Sequence, residues 1–163
     1  IVLQVVMILG SWLYAALHPE SGVRSTLSSE GIRWAFGGYI HQMQSPLLVW
    51  LLLGGMAYGS LRHSRFVESF RTMRYRQRVA LRFSLSTLVV YLSVVAFFAF
   101  APHAILLSVN LMSVVYGVMA GSFPSVPSVF NALVAGVSSF VPLIIVYLLA
   151  SHLIYILSYI LML

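Results

Sequence analysis

RHSRFVESFRTMRYRQRVALR, residues Arg62 to Arg82, is the stretch on which the reading of this chain turns. It holds seven of the nine basic side chains, all of them Arg, in a sequence with little other charge. Long apolar runs flank it on both sides. Arg near the ends of membrane spans stays on the cytoplasmic side, so this segment orients everything around it. Arg71, Arg74, Arg78 and Arg82 recur at spacings of three, four and four, which lines one helical face. Phe66, Phe70, Met73, Ala80 and Leu81 take the opposite face, the pattern of a helix lying flat at a membrane interface. The four Arg are expected to meet anionic lipid headgroups or an acidic cytoplasmic partner, since guanidinium forks suit phosphates and carboxylates alike.

Composition extends the same reading to the whole chain. Of 163 residues, 61% are hydrophobic and 7% charged, where a soluble domain carries about a quarter charged. A chain this short cannot hide so much apolar surface from water, and lipid must cover it. At about 20 residues per spanning helix there is room for about five spans. The expected fold is an all-α polytopic membrane protein forming one membrane domain, with two interfacial amphipathic helices. The net charge of +6 would suggest nucleic acid in a soluble protein. Here the Arg border a bilayer, so membrane lipids are the expected partners and nucleic acid is not. Cys is absent, which excludes disulfides, thiolate metal sites and Cys nucleophiles.

The expected spans are residues 1–17, 46–61, 83–101, 104–120 and 141–163. The first lacks a basic flank and a small-residue cleavage site, so it is expected to be a retained span. His18–Gly22 ends it with Pro and Gly. Residues 23–45 form an outer interfacial segment, with Ile32, Ala35, Phe36, Tyr39, Ile40 and Met43 at helical spacing and Trp34 as an anchor. Pro46 opens the second span, where Gly55 and Gly59 offer a surface for close helix approach. Residues 62–82 are the basic cytoplasmic segment. The third span is apolar almost throughout, with Val95 toward lipid, and Pro102-His103 makes a tight outer turn. In the fourth span Asn110, Ser113, Gly117 and Gly121 share one face, a small-and-polar stripe expected to be buried against protein. Gly121–Ser128 is an uncharged inner loop broken by two prolines, and residues 129–139 are expected partly in the interface. The N-terminus then lies in the cytoplasm and the C-terminus outside it.

Two candidates for chemistry stand beside plainer alternatives. His152 is ionisable within a span, which suggests a functional group; the alternative is a neutral imidazole bonding a neighbouring helix. Asn110 with Ser113 could hold an ion or substrate, or form a helix–helix hydrogen bond of about 0.6–2 kcal/mol. The remaining His are scattered, and no metal, cofactor or enzyme signature is present.

Two blocks resemble the p-aminobenzoyl-glutamate transporter (AbgT) family. One is Val23–Leu61, VRSTLSSEGIRWAFGGYIHQMQSPLLVWLLLGGMAYGSL, and the other is Leu107–Ile156, above all VVYGVMAGSFPSVPSVFNALVAGVSSFVPLIIVYLLASHLIYI. The chain resembles a short, internally deleted and truncated relative. The resemblance implies a bacterial inner-membrane protein working as a transport-related subunit of a larger assembly, with other subunits or with copies of itself. A non-transporting structural or anchoring subunit is the alternative. The family's substrate-contacting segments have no counterpart here, so no site residue follows from the resemblance.

Overall fold

A computed structural model describes residues 1–69, 74–98 and 103–161 of the chain. Every regular element among the described residues is helical: α1 (Val2–Leu17), a 3-10 turn (Pro19–Ser21), α2 (Ser29–Met43), α3 (Pro46–His63), α4 (Phe66–Ser69), α5 (Tyr75–Phe98), α6 (His103–Ala120) and α7 (Val126–Leu161). Three of these are long and apolar enough to cross a membrane, over Tyr75–Phe97, His103–Ala120 and Val126–Leu161. Five were expected. The difference lies in α1, which is apolar but has only 16 residues, and in α3, which has 18 but ends in Arg62 and His63.

The burial pattern is that of a protein solvated by lipid. Ser60, Ser64, Ser84 and Ser113 are 0% exposed, while Phe36 is 70% and Val90 63% exposed. In water such an arrangement would waste apolar surface; in a bilayer, small and polar residues belong between helices and large apolar ones outside.

The chain forms two compact units, residues 1–48 with 143–163 and residues 49–142, with the divisions falling inside α3 and at Pro142 of α7. In the first unit, α1 turns Gln4, Met7, Ile8, Ser11 and Ala15 inward, a stripe at helical spacing. Ser11 Oγ lies 2.9 Å from Thr26 Oγ1, tying α1 to the strand-free segment before α2. Ser28 caps α2 by accepting the Gly31 N–H at 3.0 Å. Helix α2 buries Gly31, Gly38 and Gln42 and leaves Ile32, Phe36, Tyr39, Ile40 and Met43 exposed. Trp34, expected as an anchor, instead stacks on Tyr155 of α7 with ring centroids 3.6 Å apart.

In the second unit α5 packs along α6. Its inward positions include Gln77, Ala80, Leu81, Ser84, Thr87, Leu88 and Tyr91. Small residues at 80 and 84 permit the close approach. Val95 is half-buried on this packed side, and its neighbour Val94, 50% exposed, takes the outward position expected of it.

Two further expectations are corrected. The basic segment 62–82 is not one interfacial helix. Helix α3 continues to His63, Arg65 reverses the chain at φ 56, and α5 begins at Tyr75. Arg78 and Arg82 therefore ride on the opening turns of a long apolar helix. Ala80, at 1% exposure, faces protein, and Phe66 meets the Tyr116 ring edge-on at 5.0 Å. Phe70, Arg71 and Met73 lie outside the described residues, as does Pro102 of the expected outer turn. Second, the region from Val126 to Leu161 is continuous helix through Pro142. Pro127 sits in its first turn, where a missing N–H costs nothing. Pro142 is the kind of interior Pro that spanning helices tolerate.

Candidate functional site

Polar side chains inside the helices fall into two groups, one in each unit. In the second unit the group is built on α3 and α6. The Asn110 amide donates to the Leu53 carbonyl of α3 at 3.2 Å and to the Leu106 carbonyl of its own helix at 2.9 Å. Ser113 Oγ lies 2.6 Å from Ser60 Oγ, and Ser60 Oγ lies 3.4 Å from Asn110 Oδ1. All three side chains are at most 9% exposed. The expected pair Asn110 and Ser113 is thus brought together, with Ser60 as a partner that sequence spacing did not reveal. Each group here already holds a neighbour, which makes this a helix–helix clamp.

The expected glycine surface is also real, and its other half comes from α7. A Cβ on Gly59 would stand 2.7 Å from Gly136 Cα and overlap the Ala132 carbonyl, and one on Gly55 would stand 3.1 Å from Val137 Cα. Gly136 was not singled out from the sequence, because a helix surface can be read from one chain segment but its partner cannot. Gly117 and Gly121 do not form one packing surface. Gly117 is buried beneath the Phe123 ring, whereas Gly121 is exposed just past the end of α6 with φ +85. Its N–H bonds the Val118 carbonyl at 3.2 Å, a left-handed helix stop.

In the first unit the group gathers around α2 and α7. Tyr147 donates to Ser45 Oγ at 2.5 Å, and Ser151 Oγ lies 3.4 Å from Gln42 Oε1. Gln4 of α1 donates to the Leu149 carbonyl at 3.1 Å. Two buried polar atoms in this unit have no hydrogen-bond partner: Gln42 Nε2 and His152 Nδ1. Gln42 is only 7% exposed. His152 meets the Tyr39 ring edge-on at 6.0 Å and lines two small cavities. One, of about 280 Å³, is shared with Ala35, Phe36 and Tyr39; the other, of about 240 Å³, is shared with Gln4, Tyr39 and Leu149 among others. Such orphaned groups in a buried setting are costly unless something completes them. Of the two ring nitrogens of His152, Nδ1 makes no bond to a neighbouring helix.

Trp34, Tyr155 and Gly38 complete this region. A Cβ at Gly38 would overlap the Tyr155 ring that stacks on Trp34. Tyr159 follows at 4.8 Å from Trp34, and Arg24 lies 5.8 Å over the Tyr159 ring while pairing with Glu30 at 3.6 Å.

Of the four Arg singled out from spacing, Arg74, Arg78 and Arg82 are exposed and Arg71 lies outside the described residues. Arg74 occupies the position before α5, where its N–H is accepted by Gln77 Oε1 at 3.0 Å. Among the described residues no three His, Asp or Glu converge as metal ligands. Comparison with known protein families, characterised proteins and solved structures gives no match to this chain.

Proposed function

We propose that the chain is a multi-pass protein of the bacterial inner membrane, of reduced AbgT-like form, acting as a transport-related subunit within a larger membrane assembly. In this reading α1, α3, α5, α6 and α7 each cross the bilayer, the Arg-rich segment and the N-terminus face the cytoplasm, and the C-terminus lies on the other side. The resemblance of Val23–Leu61 and Leu107–Ile156 to that family supplies the class.

The observation that carries a transport role is that two of the three unpartnered buried atoms among the described residues, His152 Nδ1 and Gln42 Nε2, fall together in the first unit with cavities beside the imidazole, the third being His103 Nδ1 of the second unit. A site that binds and releases a solute within a membrane needs polar groups not already spent on helix pairing. The structural-subunit alternative draws on the second unit, where Asn110, Ser60 and Ser113 satisfy one another.

The deciding experiment recovers the chain from native membranes in mild detergent with whatever accompanies it, then reconstitutes that assembly. Gradient-driven uptake of p-aminobenzoyl-glutamate-like solutes, lost in His152→Ala while the assembly stays intact, supports the transport reading. An intact assembly whose transport ignores His152→Ala leaves the structural reading. Recovery as a lone monomer overturns both.

A further inference from the structure

At the Arg-rich end of the second unit, the end of α3, the turn into α4, the start of α5 and the end of α6 border an open polar cavity of about 630 Å³. Arg62, His63, Arg65, Gln77 and Ser122 are among the polar residues that line it, and Glu68 is the acid among the lining residues. We propose that this cavity binds a phosphate group, carried by an anionic lipid headgroup or by a soluble phosphate, through Arg62 and Arg65. The site is separate from His152 and does not depend on a transport role.

Three observations point to a ligand. The backbone at Arg65 is the first. Among the described residues it is the non-Gly residue that adopts positive φ, at 56°, a conformation that L side chains rarely take and that concentrates at functional positions. The reversal it makes directly after α3 sets Arg65 beside Arg62 on one cavity.

The second is that the helix ends nearby are already served by other groups. The C-termini of α3 and α6 carry partial negative charge, which Arg side chains often neutralise. Arg76 does this for α6, its Nε donating to the Met119 carbonyl at 3.0 Å. His63 Nδ1 does it for α3, 2.9 Å from the Gly59 carbonyl. Arg62 and Arg65 are not needed for that task. Arg62 Nη1 donates to the Tyr58 hydroxyl at 3.2 Å, which holds one edge of its guanidinium and leaves the rest of the fork.

The third is chemical fit. Two guanidiniums offer paired N–H donors at the spacing of phosphate oxygens. The Gln77 side-chain NH2, whose Oε1 is held by the Arg74 N–H, can donate to a further oxygen. Gly121, which also lines the cavity, has no side chain to obstruct it.

The test uses the full chain in a neutral detergent titrated with inorganic phosphate, and the same chain in phosphatidylcholine nanodiscs with or without phosphatidylglycerol, with retained lipid counted by native mass spectrometry. Saturable phosphate binding assigns a soluble anion; selective retention of phosphatidylglycerol assigns a headgroup; neither overturns the proposal. Arg65→Gly suits φ 56 while removing the whole Arg side chain, and it should weaken binding about tenfold, as should Arg62→Gln. Arg33→Gln, which removes the same charge from an exposed position in the first unit, should leave binding unchanged. Wild-type binding by Arg65→Gly or by Arg62→Gln, or an equal loss in Arg33→Gln, overturns the site.

Discussion

Gly136 of α7 and Gly59 of α3 meet backbone to backbone: a methyl group built on Gly136 would stand 2.6 Å from both the Cα and the N of Gly59. Real Cβ atoms do not come so near, so any side chain at either position must push the helices apart. Gly136→Ala and Gly59→Ala should each cost about 1–3 kcal/mol, even after the helix-propensity gain of replacing Gly. Gly54→Ala meets only the Phe140 ring at 3.9 Å and should be tolerated. Thermal unfolding in detergent reads the difference, and a Gly59→Ala protein as stable as wild type would show that α3 and α7 do not cross there.

Asn110 links α6 to the Leu53 carbonyl and stands within reach of Ser60. Hydrogen bonds between helices in lipid contribute about 0.6–2 kcal/mol, so Asn110→Ala should destabilise by that order. Because Ser60 and Asn110 share an edge, the double change Ser60→Ala with Asn110→Ala should cost less than the two single changes summed. Strict additivity in the same unfolding assay would mean that the two side chains do not act together.

Gly37 and Gly38 form a matched pair of probes. A Cβ at Gly37 meets nothing within 4 Å, whereas one at Gly38 overlaps the Tyr155 ring. Gly37→Ala should therefore be neutral or gain up to about 1 kcal/mol of helix propensity. Gly38→Ala should displace Tyr155, break the 3.6 Å stack with Trp34 and shift the Trp emission. Identical behaviour of the two variants would contradict the packing of α2 on α7.

How far these features were legible depends on whether their cause was local. The Gly55 and Gly59 surface and the Asn110 and Ser113 stripe are periodic within one helix, and both are in place. Their partners, Gly136, Leu53 and Ser60, lie on other helices, and one sequence carries no register between helices. The Arg spacing misled about the extent of the helix: Arg78 and Arg82 keep the period on α5, but Arg74 stands before its first residue and Arg65 turns the chain between α3 and α4. Gly121 looked like packing because Gly117 lies four residues earlier, but its positive φ makes it a helix stop. Residues 129–139 were expected apart from the span at 141–163, and α7 joins the two through Pro142 because spanning helices absorb such residues.

Orientation can be tested cleanly, because the chain has no Cys and a single introduced thiol reports one place. Ser64 is fully buried and Ser28 caps α2, so the exposed neighbours Glu68 and Ser29 serve better. Arg-rich flanks stay in the cytoplasm. Glu68→Cys should then react with an impermeant maleimide only in inverted vesicles, and Ser29→Cys only in right-side-out ones. The opposite pattern would reverse the assignment of every span.

The purified chain alone in liposomes should not concentrate p-aminobenzoyl-glutamate-like solutes against a gradient. Secondary transporters bind solute and coupling ion near mid-membrane, commonly between structural repeats and at broken helices. In the second unit Asn110, Ser60 and Ser113 are engaged with one another and with backbone carbonyls, so releasing them for a solute would cost the helix clamp. In the first unit His152 and Gln42 offer unpaired nitrogen atoms, yet a proton or cation relay also needs a carboxylate within the membrane. The three acids of the chain are Glu20, Glu30 and Glu68; the first lies in the turn after α1, the second in the first turn of α2 and the third in short α4. On the transport reading proposed above, a partner subunit or a second copy would supply the missing carboxylate. Gradient-dependent accumulation by the isolated chain, abolished by His152→Ala with folding intact, would show instead that His152 and its cavities suffice on their own.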